Sequence, residues 1–193
     1  MRIITQGNSM KYLPRLFFTF LAAITIFLIS SCASPKIEQY AKETPVLKLS
    51  DFFNGTMNAY GIFTDRNGSV VKRFTVVIKS SWQMTDGINK GTLDESFTYS
   101  DGSTQHRVWS IVETSPNHYE GTASDVVGKA IGVASGNALN WSYTLNLPVS
   151  GSTYEVQFND WMYLVDQKVM LNKAVMSKFG IYLGEVTLSF YKN

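Results

Sequence analysis

Leu139-Asn140-Trp141-Ser142-Tyr143-Thr144-Leu145-Asn146-Leu147 decides the fold. Every odd-numbered residue is apolar or aromatic and every even-numbered one is polar. Successive side chains of a strand point to opposite faces, so a period of two describes a strand with one face buried and one wetted. A helix would need apolar residues three or four apart. The same period recurs outward in both directions. Downstream, Val156, Phe158, Met162 and Leu164 share a phase, as do Val186, Leu188 and Phe190. Upstream, Phe74, Val76 and Ile78 alternate with Arg73, Thr75 and Lys79. Leu93, Phe97 and Tyr99 alternate with Asp94, Ser96 and Thr98.

Turn chemistry separates these stretches at fairly even spacing: Asp65-Arg66-Asn67-Gly68, Asp86-Gly87, Asp101-Gly102, Ser115-Pro116-Asn117, Ser135-Gly136-Asn137, Ser150-Gly151 and Phe179-Gly180. No segment after residue 50 reads as a convincing amphipathic helix; Val165–Lys178 alone fits either a strand or a helix. The fold expected is all-β, with about eight to ten long antiparallel strands. Such strands must dispose of their edges, by closing into a barrel or by forming a two-sheet sandwich. Strands of about ten residues on short turns favour the up-and-down, lipocalin-like barrel. A membrane-spanning barrel is disfavoured, because the strands lack a lipid-facing band flanked by aromatic girdles.

The N-terminal 31 residues have a different character. Lys11 and Arg15 precede Leu16–Ile29, an apolar run of 14 residues broken only by two threonines. A bilayer span needs about 20 residues, so the run reads as an export signal. It ends in Ile29-Ser30-Ser31-Cys32, which resembles the lipobox of bacterial lipoproteins, and Cys32 is the only cysteine. The resemblance implies a lipid on the Cys32 thiol and cleavage before it; two or three acyl chains make a lasting anchor. Ala33 and Ser34 follow with no aspartate, which by the same resemblance implies sorting to an outer membrane, facing the periplasm. The organisation expected is a signal over 1–31, a lipidated cysteine and tether over 32–50, and a barrel over 51–193.

Removing 31 of 193 residues leaves 162, and removing Arg2, Lys11 and Arg15 takes the formal charge from +2 to −1. A near-neutral body argues against nucleic-acid binding, which needs a concentrated basic surface. A content of 45% hydrophobic and 17% charged residues excludes a disordered chain. One cysteine excludes a disulfide framework. His106 and His118 lack metal-site spacing, no serine-nucleophile elbow occurs, and no phosphate loop is present, so neither a metal nor another cofactor is expected.

Two features point to an interior with chemistry. In Asp125–Gly136 every second residue is small: Gly128, Ala130, Gly132 and Ala134 would line one face of a strand with nothing larger than a methyl group. That face either packs against aromatics such as Trp141 or forms the wall of a cavity. Three charges also fall in the apolar phase of their strands: Glu95 beside Phe97, Asp160 beside Phe158, and Arg107 beside Trp109. An unpaired buried charge costs several kcal/mol, so these groups should meet one another or water. Glu95 and Arg107 are expected to pair across the Asp101-Gly102 turn. Arg73, Trp109 and Trp161 are further candidates for a ligand site. The set fits a structural polar network, the polar end of an apolar pocket, or a proton-transfer site at Glu95 or Asp160.

With these pieces placed, the chain resembles a family of bacterial lipoproteins known as a domain of unknown function, with a lipocalin-like barrel. The resemblance spans about Phe53–Tyr191. It rests on Asp65-Arg66-Asn67-Gly68, Glu95-Ser96-Phe97-Thr98-Tyr99-Ser100-Asp101-Gly102 and Arg107-Val108-Trp109. Further on it rests on Tyr119–Gly128, on Gly136-Asn137-Ala138 with Trp141 and Tyr143, and on Asp160-Trp161-Met162-Tyr163. It implies the fold and an envelope location and assigns no activity, so it gives Glu95 and Arg107 no catalytic role. The long C-terminal helix of true lipocalins has no counterpart in the sequence.

The function expected is therefore a non-enzymatic, membrane-anchored barrel binding an apolar or amphipathic molecule of the lipid or fatty-acid class. The alternatives are a lipid-modifying enzyme using Glu95 or Asp160 with Arg107, and an envelope scaffold that binds proteins on its outer wall.

Overall fold

The structure, a computed structural model, describes residues 34–149 and 151–193; the expected signal and Cys32 lie outside the described residues. Among the described residues ten strands follow one another: β1 (Gly55–Asp65), β2 (Val70–Thr85), β3 (Ile88–Tyr99), β4 (Thr104–Ser115), β5 (His118–Thr122), β6 (Val126–Ser135), β7 (Ala138–Val149), β8 (Ser152–Leu164), β9 (Val169–Lys178) and β10 (Ile181–Lys192). Each pairs antiparallel with its neighbours in sequence, and β1 also pairs with β10, from Met57–Lys192 to Asp65–Gly184. The sheet thus closes into the expected up-and-down barrel, with no edge left to template aggregation.

The turns work as their chemistry dictates. The Asp65 carboxylate accepts the backbone N–H of Asn67 and of Ser69 at 2.9 and 3.0 Å, and Gly68 takes a positive φ of 84°. Asp166 does the same ahead of β9, accepting from Lys168 at 2.7 Å and Val169 at 2.8 Å. The segment Val165–Lys178, open between two readings in the sequence, is this turn followed by a strand. Pairing with β8 and β10 on either side decides it, and Met170, Asn172, Ala174 and Met176 all turn inward and are buried.

The tether expected over residues 32–50 needs correction for its part from Lys36 to residue 50. From Lys36 onward the chain forms one compact unit with the barrel. A 3₁₀ turn, Ile37–Tyr40, packs against β6 and β7. Then Leu47, the one-turn helix α1 (Leu49–Phe52) and Phe53 close one end of the barrel. The Leu47 N–H donates to the Gly136 carbonyl at 2.8 Å, and Trp82 Nε1 donates to the Phe53 carbonyl at 2.6 Å. Leu47 and Leu49 are 1% and 2% exposed. Burying such side chains stabilises by about 1.5–3 kcal/mol each, which is why this polar-looking segment does not stay a free leash.

Candidate ligand-binding cavity

Above the α1 plug the barrel holds a cavity of about 1010 Å³, open at the far end and at the upper limit of sites that take drug-sized molecules. Its wall is mostly apolar and aromatic, with Phe74, Phe97, Trp109, Trp141, Tyr143 and Phe158 prominent. The lining extends to Lys72, Ser103 and Gln105 beside the β3–β4 turn and to Val149 and Thr153 beside the β7–β8 turn. Those turns lie at the end opposite the plug, since strand direction alternates around an up-and-down sheet.

Four of the residues expected at a site line this cavity: Glu95, Arg107, Trp109 and Asp160. Glu95 and Arg107 are direct cross-strand partners on β3 and β4, with Nη1 to Oε2 at 4.0 Å. The tighter partner of Arg107 is Asp125, which accepts from Nη2 at 2.7 Å and from Nε at 3.0 Å. The local sequence around Asp125 looks like an ordinary turn. Continuing the β4–β5 register beyond Ser110–Thr122 is what sets it opposite Arg107. Asn172 was also missed, although its signal existed: a polar residue between Met170 and Ala174 in the inward phase of β9. Asn172 Nδ2 donates to Asp160 Oδ2 at 3.5 Å, and the remaining oxygens, Asp160 Oδ1 and Asn172 Oδ1, have no partner.

Burial pushes the Glu95 carboxyl up to about 7 despite the opposing Arg107 charge, with Asp125 adding to the rise. Burial likewise raises Asp160 to about 7, against the Asn172 hydrogen bond and the Arg107 charge, with Glu95 adding to the rise. Burial also lifts the Tyr143 phenol well above its ordinary value. The arrangement amounts to one neutralised ion pair, two carboxyl groups poised near neutrality, and a stack of rings. Trp109 meets Trp141 and Tyr143 edge-on at 5.7 and 5.5 Å, and Tyr143 lies flat on Phe158 at 5.2 Å.

Other candidates fall elsewhere. Arg73 is exposed, because it precedes inward Phe74 and so takes the outer face of β2. Trp161, next to inward Asp160, also faces outward, where its ring packs with Tyr40 at 5.9 Å and Tyr163 at 6.2 Å. The small-residue run is not a cavity wall. Ala130, Gly132 and Ala134 are buried, but Trp141 covers the strip, and a Cβ on Gly132 would come within 2.3 Å of the indole. Gly121 leaves the same ring room on β5, where a Cβ would meet it at 2.6 Å. Gly128 is exposed with φ of 67°, inside the register shift between Val127 and Ile131. The indole thus occupies the volume that the glycines vacate and offers its other side to the cavity.

Among the described residues no cluster of three His, Cys, Asp or Glu side chains could hold a metal, and no helix is long and apolar enough to cross a membrane. His106 lies outside the barrel beside Asp94 at 2.8 Å.

A closed antiparallel barrel, plugged at one end and hollow above the plug, is a lipocalin-like barrel. The chain belongs to the family described as "Protein of unknown function (DUF3833)", which matches residues 26–192. Among solved structures, the S-type phycobiliprotein lyase CPES from Guillardia theta superposes with a TM-score of 0.52 at 6% identity. The match covers 82% of this chain and 98% of the lyase. The structure of EF1p2_mFAP2b bound to DFHBI gives a TM-score of 0.38 at 15% identity, covering 76% of this chain and all of that one. At 6% identity the likeness to the lyase shows a shared fold. No curated protein matches the sequence.

Proposed function

We propose that this protein is a non-enzymatic barrel that holds an apolar or amphipathic small molecule of the lipid class. In this reading it is anchored to the bacterial envelope through a lipid on Cys32, in an outer membrane and facing the periplasm. The observation that carries the binding reading is the cavity of about 1010 Å³ with its aromatic wall. An interior packed like an ordinary core would leave few voids larger than a water molecule. The lipobox-like Ile29-Ser30-Ser31-Cys32 supports the anchor.

A lipid-modifying reading draws on Glu95 and Asp160, whose near-neutral pKa values suit proton transfer. It also requires Arg107 to stabilise developing negative charge, and that guanidinium already spends two of its nitrogens on Asp125. Binding without reaction is the better fit.

Ala174 tests it. This residue lies on the cavity wall as the cross-strand partner of Asp160 on the adjacent strand, so Ala174→Trp would put an indole into part of the hollow. Native mass spectrometry of the protein released from membranes should show a bound small molecule in the wild type and a clearly smaller bound fraction in A174W. A wild-type protein that emerges empty, and takes up no neutral apolar probe, overturns the binding reading.

A further inference from the structure

The polar part of the cavity is rich in acceptors and has no spare cation. Asp160 and Asn172 are 7% and 5% exposed, they come from adjacent strands, and both line the cavity. Each keeps one oxygen without a partner, while the only Asn172 donor group is turned to the other Asp160 oxygen. A buried acceptor left unsatisfied is costly. Both free oxygens are closed off from the hollow, and the contact that holds the two side chains together is long at 3.5 Å, so a donor entering the cavity meets the Asp160 carboxyl by displacing that contact.

Among the described residues the wall carries two cations, and both are engaged. Arg107 is held by Asp125 and faces Glu95, and Lys72 at the rim pairs with Asp101 at 3.0 Å. With Arg107 and Asp125 cancelling, the charge of the inner group runs from zero to −2 as Glu95 and Asp160 ionise. It is never positive. A ligand carboxylate would therefore enter a site that offers it acceptors and like charge. An ammonium brings three donors and the complementary sign.

We infer that the polar end of the ligand is a hydrogen-bond donor, a protonated alkyl amine, seated against the Asp160 carboxyl and the Asn172 amide with its chain among the cavity aromatics. This rests on the binding reading above and narrows it, away from fatty acids. The charged and titratable groups around Asp160 are Glu95 of β3, Arg107 of β4 and Tyr143 of β7, with Asp125 held behind Arg107. Of these, Glu95 titrates in the same range as Asp160 and with the same sign. Amine affinity therefore rises from pH 5 to pH 8 as carboxylates form, and the affinity of a carboxylate ligand falls over that range.

The test uses the full chain in phosphatidylcholine vesicles and three probes that differ only in the head group: bromo-octylamine, bromo-octanol and bromo-octanoate. Bromine quenches indole fluorescence on contact, and Trp109 and Trp141 both line the cavity. Partition into protein-free vesicles is subtracted. At pH 8 the amine should bind at least about tenfold more tightly than octanoate, with the alcohol between them. Asp160→Asn should bring the amine down to the affinity of the alcohol, and Asn172→Leu, a second variant should the first not fold, should weaken the amine severalfold. Octanoate binding as well as the amine, or an amine preference that survives in D160N, overturns the inference while leaving the binding reading intact. Quenching by none of the three probes overturns both.

Discussion

Replacing Asp160 by Asn should flatten the dependence of stability on pH. The carboxyl lies 7% exposed inside the barrel and is raised from 3.8 to about 7, chiefly by burial. A raised acid holds its proton more tightly folded than unfolded, so folding carries no charge penalty below about pH 4. Between pH 4 and 7 the unfolded chain releases a proton that the folded chain keeps. Stability therefore falls as pH climbs through that window and levels off above it. The rise is about three units, and at about 1.4 kcal/mol per unit it amounts to about 4 kcal/mol in all. For a domain of this size that is about 10 °C in melting temperature. Glu95, raised from 4.5 to about 7, adds a loss of the same sign. Melting followed by tryptophan fluorescence at intervals from pH 4.5 to pH 8 should show the wild type losing stability steadily. D160N should lose clearly less and be the more stable protein at pH 8. A wild-type curve that is flat or rises with pH, or a variant with the wild-type slope, would refute the assignment of Asp160 as a buried acid with an unmet oxygen.

The remaining predictions concern how the cavity is built. Asp125→Ala strips Arg107 of its two-nitrogen partner in a half-dry site and should cost about 3 kcal/mol, whereas Arg73→Ala on the outer face should stay within about 0.5 kcal/mol; chemical denaturation of both variants separates the two. Leu49→Ala should lower stability by about 2–5 kcal/mol if residues 47–53 plug the barrel, and by almost nothing if they are a tether. Gly132→Val drives a side chain into the Trp141 ring and should cost at least about 1–3 kcal/mol in a denaturant melt. Trp141→Leu in the same chain should recover part of that loss, and a G132V protein as stable as wild type would show that the ring has another place to go.

The barrel was legible because alternation is a local property. From Leu139 to Leu147 the phase of each side chain relative to the sheet follows from its position along the strand alone, and the structure turns the same five residues inward. Glu95 and Arg107 could be paired in advance because one short turn separates their strands. Arg73 and Trp161 were misplaced even though phase was informative for both. Each directly neighbours an inward residue, which puts it on the outer face.

Asp125, Asn172 and the plug belong to another category. Asp125 reaches Arg107 only because β5 returns along β4, and Asn172 meets Asp160 only because β9 lies beside β8. Leu47 and Leu49 become buried only when a barrel end exists for them to cover. The glycine run likewise shows that a wide-open face is available, but not that Trp141 fills it from the neighbouring strand. Strand periodicity is written in the covalent order of the chain. Which acid neutralises which base, and how much of the hollow stays empty, depends on contacts between residues far apart in that order, and those exist only once the sheet has closed.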